Sequence, residues 1–273
     1  TLNTAVGRSA LSSNTTANSN TAIGREAMRD NTTGTNNISM GVSALSTNTT
    51  ASSNTALGTA ALRRNTTGPS NTAVGHQAMD SNTTGFENVA SGYRALYNNT
   101  SGETNTAIGT EALRDNQTAD NNTAVGKSAL MSNTTGELNT AVGKGALDAS
   151  TTAEYNVAVG KDAGGTLTTG SYNAALGTFA LRDSTTAARS VAIGTSALQN
   201  NVSGGDNTAV GSNCLTSTTG NNNTAIGYAS GNANTSGSQN TFVGRDSGKN
   251  VTTGTNNTVL GDNTSASSAT VSN

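Results

Sequence analysis

A chain of 273 residues with 32% hydrophobic, 3% aromatic and 11% charged residues holds too little apolar material for an ordinary globular core, and without periodicity this balance would leave it unfolded. Its net charge of -2, from 14 basic and 16 acidic residues, gives no electrostatic footprint for nucleic acid or an anionic membrane. A single cysteine, Cys214, excludes an internal disulfide framework, and no run approaches the roughly 18 apolar residues of a membrane-spanning helix.

Periodicity is what makes folding possible. A glycine closes a motif of the type Asn-Thr-Ala-Val-Gly at Gly7, Gly24, Gly41, Gly58, Gly75, Gly92, Gly109, Gly126, Gly143, Gly160, Gly177, Gly194 and Gly211, always 17 residues apart, and after one dropped residue again at Gly227, Gly244 and Gly261. With that glycine as position 5, the unit reads N-T-A-V-G-x-x-A-L-x-x-N-T-T-G-x-x. A short fixed period of this kind demands stacked units that bury a shared core.

Taken along the unit, positions 2 to 4 read as a short strand. Position 4 is Val6, Ile23, Met40, Leu57 or Val74, and position 2, usually Thr, becomes Ile38, Val89, Val157 or Val191. This alternation predicts that positions 2 and 4 form the half-buried core face. The alanines between them, Ala5, Ala22, Ala56 and Ala73, are then expected on the opposite face as a close-packing seam toward another chain. The glycine ends the strand, through a positive φ or because a neighbour leaves no room for a Cβ. Positions 8 and 9, such as Ala44-Leu45, are a second apolar pair whose flanks fit a strand or a helical turn equally. Asn-Thr-Thr-Gly or Asn-Thr-Thr-Ala at positions 12 to 15 is a turn.

A 17-residue unit is too short for a βαβ crossover and too glycine-rich for paired helices. The fold class is therefore all-β, a parallel β-solenoid of sixteen coils, with assembly of several chains supplying the burial that one slim coil lacks. Three segments follow: a regular array over 1–226, divergent glycine-rich repeats over 227–264, and a polar tail or linker over 265–273. The missed beat between Gly211 and Gly227 coincides with the loss of Leu at position 9, which becomes Gly231 and Gly248, so a change of cross-section is expected there. The chain opens at Thr1 inside a repeat, as a piece of a longer protein would.

Ser190-Val191-Ala192-Ile193-Gly194 matches, and Asn156 to Gly160 nearly matches, the core motif of YadA-type trimeric adhesin head repeats. The longer units Asn71 to Gly85 and Asn122 to Gly136 resemble arrays in tail-fibre proteins of bacterial viruses and in bacterial surface proteins. The resemblance covers nearly the whole chain, although the adhesin unit is shorter. It implies a parallel homotrimer of left-handed β-rolls, the shaft or head of an extracellular fibre on a virion or a bacterial surface, serving attachment.

Candidate sites are columns. Basic residues collect at position 6 and acidic ones at position 16, so Asp120/Lys127, Glu137/Lys144 and Glu154/Lys161 are expected to pair across the turn or between chains, with a glycan-holding lysine stripe as the rival reading. The Asn-Thr-Thr triplets at Asn14, Asn31, Asn48, Asn65, Asn82 and Asn133 satisfy the N-glycosylation rule, yet their fixed column favours a stacked amide ladder. Cys214 stands in the position-8 Ala column as a small buried side chain, and His76 stands alone, without zinc-ligand spacing. Tyr93, Tyr97, Phe86, Tyr155, Tyr172 and Tyr228 are scattered aromatics that fit chain contacts better than sugar platforms. No pocket-forming constellation, cofactor or metal is implied, and an enzyme is not expected. The functional expectation is an attachment segment of a trimeric fibre whose partners are its own copies and host-surface glycans or another receptor. The alternatives are a self-assembling filament or sheath subunit and an ice-binding solenoid built on Thr15-Thr16, Thr32-Thr33 and their successors.

Overall fold

The computed structural model describes residues 2–265 and shows an all-β parallel solenoid, with no helix among the described residues. Ser265 apart, the expected tail lies outside them. The chain divides into two compact units, Thr1–Glu137 and Leu138–Asn273. The first carries β1 (Thr4–Val6), β2 (Thr21–Ile23), β3 (Ile38–Met40), β4 (Thr55–Leu57), β5 (Thr72–Val74), β6 (Val89–Ser91), β7 (Thr106–Ile108) and β8 (Thr123–Val125). The second carries β9 (Thr140–Val142), β10 (Val157–Val159), β11 (Ala174–Leu176), β12 (Val191–Ile193), β13 (Thr208–Val210), β14 (Thr224–Ile226), β15 (Thr241–Val243) and β16 (Thr258–Leu260).

Within each unit successive strands pair in parallel with like positions in register, as in Thr4↔Thr21 and Val157↔Ala174. The register survives the one short coil: Thr208 pairs with Thr224, since the missing residue is taken from the turn around Thr219-Gly220 and not from a strand. The position-5 glycines are required twice over. Gly92 has φ +140°, and a Cβ placed on it would lie 2.4 Å from the carbonyl oxygen of Gly109 in the next coil. The neighbour that leaves no room is the same chain, one turn on.

The Ala-Leu segment is neither strand nor helix but a run of turns in which positions 7 and 9 are left-handed, as in Ala60 (φ 56°) and Leu62 (φ 50°). This conformation aims alternate N–H groups in opposite directions along the stack. Ala60 N donates to Val42 O of the preceding coil at 2.9 Å, and Leu62 N to Ala78 O of the following coil at 2.9 Å. A left-handed residue with a Cβ costs about 1–2 kcal/mol. Full burial of Leu62, Leu96 or Leu113 contributes about 1.5–3 kcal/mol and so offsets it, which explains why a bulky residue recurs at a strained position.

The core face of the strand is the reverse of the sequence expectation. The position-3 residues Ala22, Ala56, Ala73, Ala107 and Ala141 are fully buried, whereas positions 2 and 4 point outward, with Val6, Met40 and Ile108 at 57%, 47% and 42% exposure. The reason is volume. The Leu of position 9 and the Ala of position 8 already fill the coil, so only a methyl fits inside the strand. Exceptions obey the same rule: Phe242 occupies position 3, fully buried, where Gly231 and Gly248 have both vacated position 9. Gly164 likewise gives up the leucine in a coil where Leu167 takes the place of the position-12 asparagine. The filling thus changes once ahead of the short coil, at Gly164, and again in the coils after it.

Two buried asparagine ladders line the interior. At position 12, Asn82 Nδ2 donates to Asn65 Oδ1 at 2.8 Å and to Gly85 O at 2.9 Å, and Asn99 repeats this on Asn82 and Gly102. At position 1, Asn54 N donates to Asn37 Oδ1 at 2.9 Å while Asn88 Nδ2 donates to Gly102 O at 2.8 Å. In these runs the amides use both donor and acceptor, as burial in a low-dielectric interior requires, whereas Asn133, also fully buried, leaves its Oδ1 without a hydrogen-bond partner.

Candidate functional surface

The outward positions 2 and 4 give each unit an exposed sheet face two side chains wide. In the first unit it presents Val6, Ile38, Met40, Val74, Val89 and Ile108, interleaved with half-buried threonines such as Thr21, Thr55 and Thr72. In the second it presents Val157, Val159, Leu176, Ile193, Ile226 and Leu260. In that unit the row beside the face, at position 17, adds Leu138, Tyr155 and Tyr172, with the two tyrosine rings stacked at 4.9 Å and 5°. Stacking commits a face of each ring to the other, so this pair widens an apolar surface more readily than it offers a platform for a sugar ring.

The charged columns border the same face, position 16 before each strand and position 6 after it. Asp120 Oδ1 accepts from Glu103 N at 2.7 Å. Ser171 Oγ and Ser238 Oγ accept from Glu154 N and Asn221 N in the same way, so position 16 serves the backbone as an acceptor column. Lys127, Lys144 and Lys161 are exposed, and Lys161 Nζ lies 3.7 Å from Asp162 and 5.1 Å from the Phe179 ring centre. Glu137 ends the first unit and Lys144 lies in the second.

Other charges are matched locally. Arg29 and Arg182 each fork onto the following aspartate, Asp30 and Asp183, with Nη2 to Oδ2 at 2.7 and 2.6 Å, and the hydrogen bond from the arginine holds each carboxyl below its usual range. Asp80 is fully buried; Arg63 Nη2 donates to its Oδ2 at 2.9 Å, and Nε lies 2.9 Å from Oδ1 off the line of a hydrogen bond. Sequence reading missed this pair, although Arg and Asp at position 10 of adjacent coils was its signal.

An open polar groove of about 460 Å³ in the first unit is lined by Arg64, Ser81, Thr83, Asn98, Thr100 and Gln117. Much of its polar chemistry is already spent: Thr83 and Thr100 donate to Thr100 O and Gln117 O, and Asn98 to Asp115. The same holds for Thr15, Thr32 and Thr49, whose hydroxyls donate to the next coil's carbonyl at 2.9, 3.0 and 3.1 Å, so the hydroxyl lattice imagined for ice is occupied by coil-to-coil bonds. Asn31, Asn48, Asn65 and Asn82 are fully buried, out of reach of a glycosyl donor once the chain is folded.

Cys214 is buried, donates to Ala225 O at 3.2 Å, and has its thiol pushed up to about 12 by desolvation. Folded protein is expected to resist thiol reagents at neutral pH and to react stoichiometrically once denatured, which a thiol-release titration reads directly. Stability linked to this proton is intact below the unfolded thiol's value near 8.5 and is lost as pH rises toward about 12. His76 stacks on Tyr93 at 5.7 Å. Among the described residues no three His, Cys, Asp or Glu side chains gather as a metal site, and no helix is long and apolar enough to cross a membrane. No family model matches the chain, and no curated protein matches it.

Proposed function

We propose that this chain is a structural and attachment segment of an extracellular fibre, of the virion tail-fibre or bacterial surface-adhesin kind, in which three copies associate through the exposed sheet face and present repeated weak contacts to a host-surface glycan or other receptor. The observation that carries this reading is the outward ladder of β-branched residues, present strand after strand in both units. A contiguous apolar face larger than a few hundred Å² marks an interaction surface, because leaving it in water costs about 25 cal/mol per Å². Identical columns give an identical contact at every coil, the condition under which weak contacts multiply. The resemblance to trimeric adhesin heads supports three copies.

Sedimentation equilibrium tests it. The expected mass is three times the 27.0 kDa of the chain. Replacing the exposed Val74 and Ile108 by lysine is expected to yield monomers with an unchanged β-sheet circular dichroism spectrum, since surface substitutions scarcely alter folding. A mass that grows without limit as concentration rises would favour an open filament. A wild-type chain that stays monomeric at every concentration defeats the proposal.

A further inference from the structure

The polar groove of the first unit lies where the repeat breaks its own rule for charge. An arginine at position 10 is otherwise followed by a neutralising aspartate at position 11: Arg29 by Asp30, Arg114 by Asp115 and Arg182 by Asp183, at 2.7, 2.6 and 2.6 Å. At 63–64 that aspartate is replaced by a second arginine. Both arginines turn to one carboxylate, Asp80, which is fully buried and held by Arg63 at 2.9 Å; Arg64 Nε stays 4.0 Å away and its side chain is 58% exposed. Arg64 is also the one charged residue among those lining the groove, whose volume of about 460 Å³ is of ligand size. A guanidinium with most of its N–H groups unspent leaves a pairing that an anion from outside can complete.

The other lining groups specify what accompanies the anion. Thr83 and Thr100 have committed their hydroxyl protons to Thr100 O and Gln117 O, each at 2.9 Å, so toward the groove they offer oxygen lone pairs. Asn98 Nδ2 donates to Asp115 Oδ1 at 3.0 Å, which leaves Asn98 Oδ1 as an acceptor. Ser81 Oγ and the Gln117 amide make no hydrogen bond with the described residues and both donate and accept. Among the described residues no carboxylate lines the groove to hold a cation. We infer that this groove binds an acidic saccharide: Arg64 takes a carboxylate or sulfate group, and Ser81, Thr83, Asn98, Thr100 and Gln117 bond the ring hydroxyls beside it. A bare inorganic anion satisfies Arg64 and leaves the acceptors to water, and a neutral sugar does the reverse. The inference rests on the attachment role proposed above, for which it names the receptor's chemistry. Repeated on each copy of a fibre, an open site of this kind holds its ligand by avidity.

The test titrates the full chain by calorimetry at low ionic strength with a short oligogalacturonate, its methyl ester, a short sulfated galactan and inorganic sulfate. One of the two acidic oligomers is expected to bind at least about tenfold more tightly than the methyl ester, the worth of a charge-assisted guanidinium bond, and the better of the two names the anionic group. Inorganic sulfate is expected to bind at least about tenfold more weakly than that oligomer, having no hydroxyls to donate. Arg64→Gln is expected to erase the advantage of acid over ester. Ser81→Ala, which removes no hydrogen bond of the fold, is expected to weaken acid and ester alike by about threefold. Arg29→Ala opens a neutralised pair on the same rows away from the groove, and is expected to bind as wild type does. Acid and ester binding equally, sulfate matching the oligomers, or a wild type that binds no probe overturns the site. So does an Arg64→Gln chain that keeps the preference for acid, a Ser81→Ala chain of unchanged affinity, or an Arg29→Ala chain that loses as much as Arg64→Gln. Each of these leaves the sedimentation mass to decide the fibre role by itself. A chain that passes every arm yet stays monomeric keeps the groove's ligand and defeats the fibre.

Discussion

Replacing Gly92 by alanine is expected to destabilise the first unit by at least ~4 kcal/mol, the size reserved for changes the structure cannot absorb. The added Cβ would lie 2.4 Å from Gly109 O, a backbone atom held in the sheet, and φ is +140°, outside the range of an L-residue. Relief requires the strands β6 and β7 to separate, which breaks bonds such as Gly109 N to Ser91 O at 2.8 Å and Val89 N to Asn105 O at 2.8 Å. Because a stacked array is held by nearest-neighbour interfaces, the damage is expected to appear as a new protease-sensitive point and a split thermal transition, and not as a uniform fall. Gly145→Ala is the control. Its φ of +66° matches the left-handed value that position 7 takes with other residues, and the contact a Cβ would make is with the Asp162 side chain, so a loss of about 1 kcal/mol is expected. Equal losses at the two sites, measured by circular dichroism melts, would show that the coils are not held as closely as described.

Phe242→Ala is expected to cost about 3–5 kcal/mol, the range for emptying a buried aromatic site. Its ring fills space in two successive coils at once: a Cβ on Gly231 would lie 2.6 Å from Cδ2, and one on Gly248 2.3 Å from Cδ1. Gly248→Leu alone is therefore expected to overpack and destabilise by about 1–3 kcal/mol. The two changes together rebuild the ordinary coil, with Ala at position 3 and Leu at position 9, and Gly248 already has the left-handed φ, 73°, that the leucine column adopts. The double variant is expected to be more stable than Phe242→Ala alone. A double-mutant cycle from urea unfolding measures the coupling; simple additivity would mean that ring and glycines do not share one space.

Much of the architecture is legible in the amino acids. The 17-residue period sets the coil, the glycine column marks the corner, and the asparagine column predicts the amide ladder found at Asn65, Asn82 and Asn99. The side of the strand that faces inward is not legible from alternation. Alternation says only that the faces differ, and the usual preference for β-branched residues inside gives the wrong answer where the interior admits a methyl and no more. The signal was present in Phe242, the largest residue of the alanine column, standing among Gly231 and Gly248. The left-handed leucines were hidden for another reason. Local preference opposes that conformation, and the inter-coil hydrogen bonds that impose it are properties of the stack. At the exposed face, residue types were read correctly as columns and assigned to the wrong side, which moves the expected contact with other chains from the alanines to Val, Ile and Thr.

The asparagine ladders bear on chemical ageing. An asparagine loses its amide when the backbone nitrogen that follows it swings round to attack the side-chain carbonyl, a reaction that needs a mobile main chain and a free amide. A chain this rich in asparagine would ordinarily carry a short chemical clock. In Asn65, Asn82 and Asn99 the amide is clamped between coils, and the nitrogen next in line, on Thr66, Thr83 or Thr100, is itself bonded to the neighbouring turn. Deamidation is thereby directed to exposed turn residues such as Asn18 and Asn232, so that the surface collects negative charge with time while the spine keeps its composition.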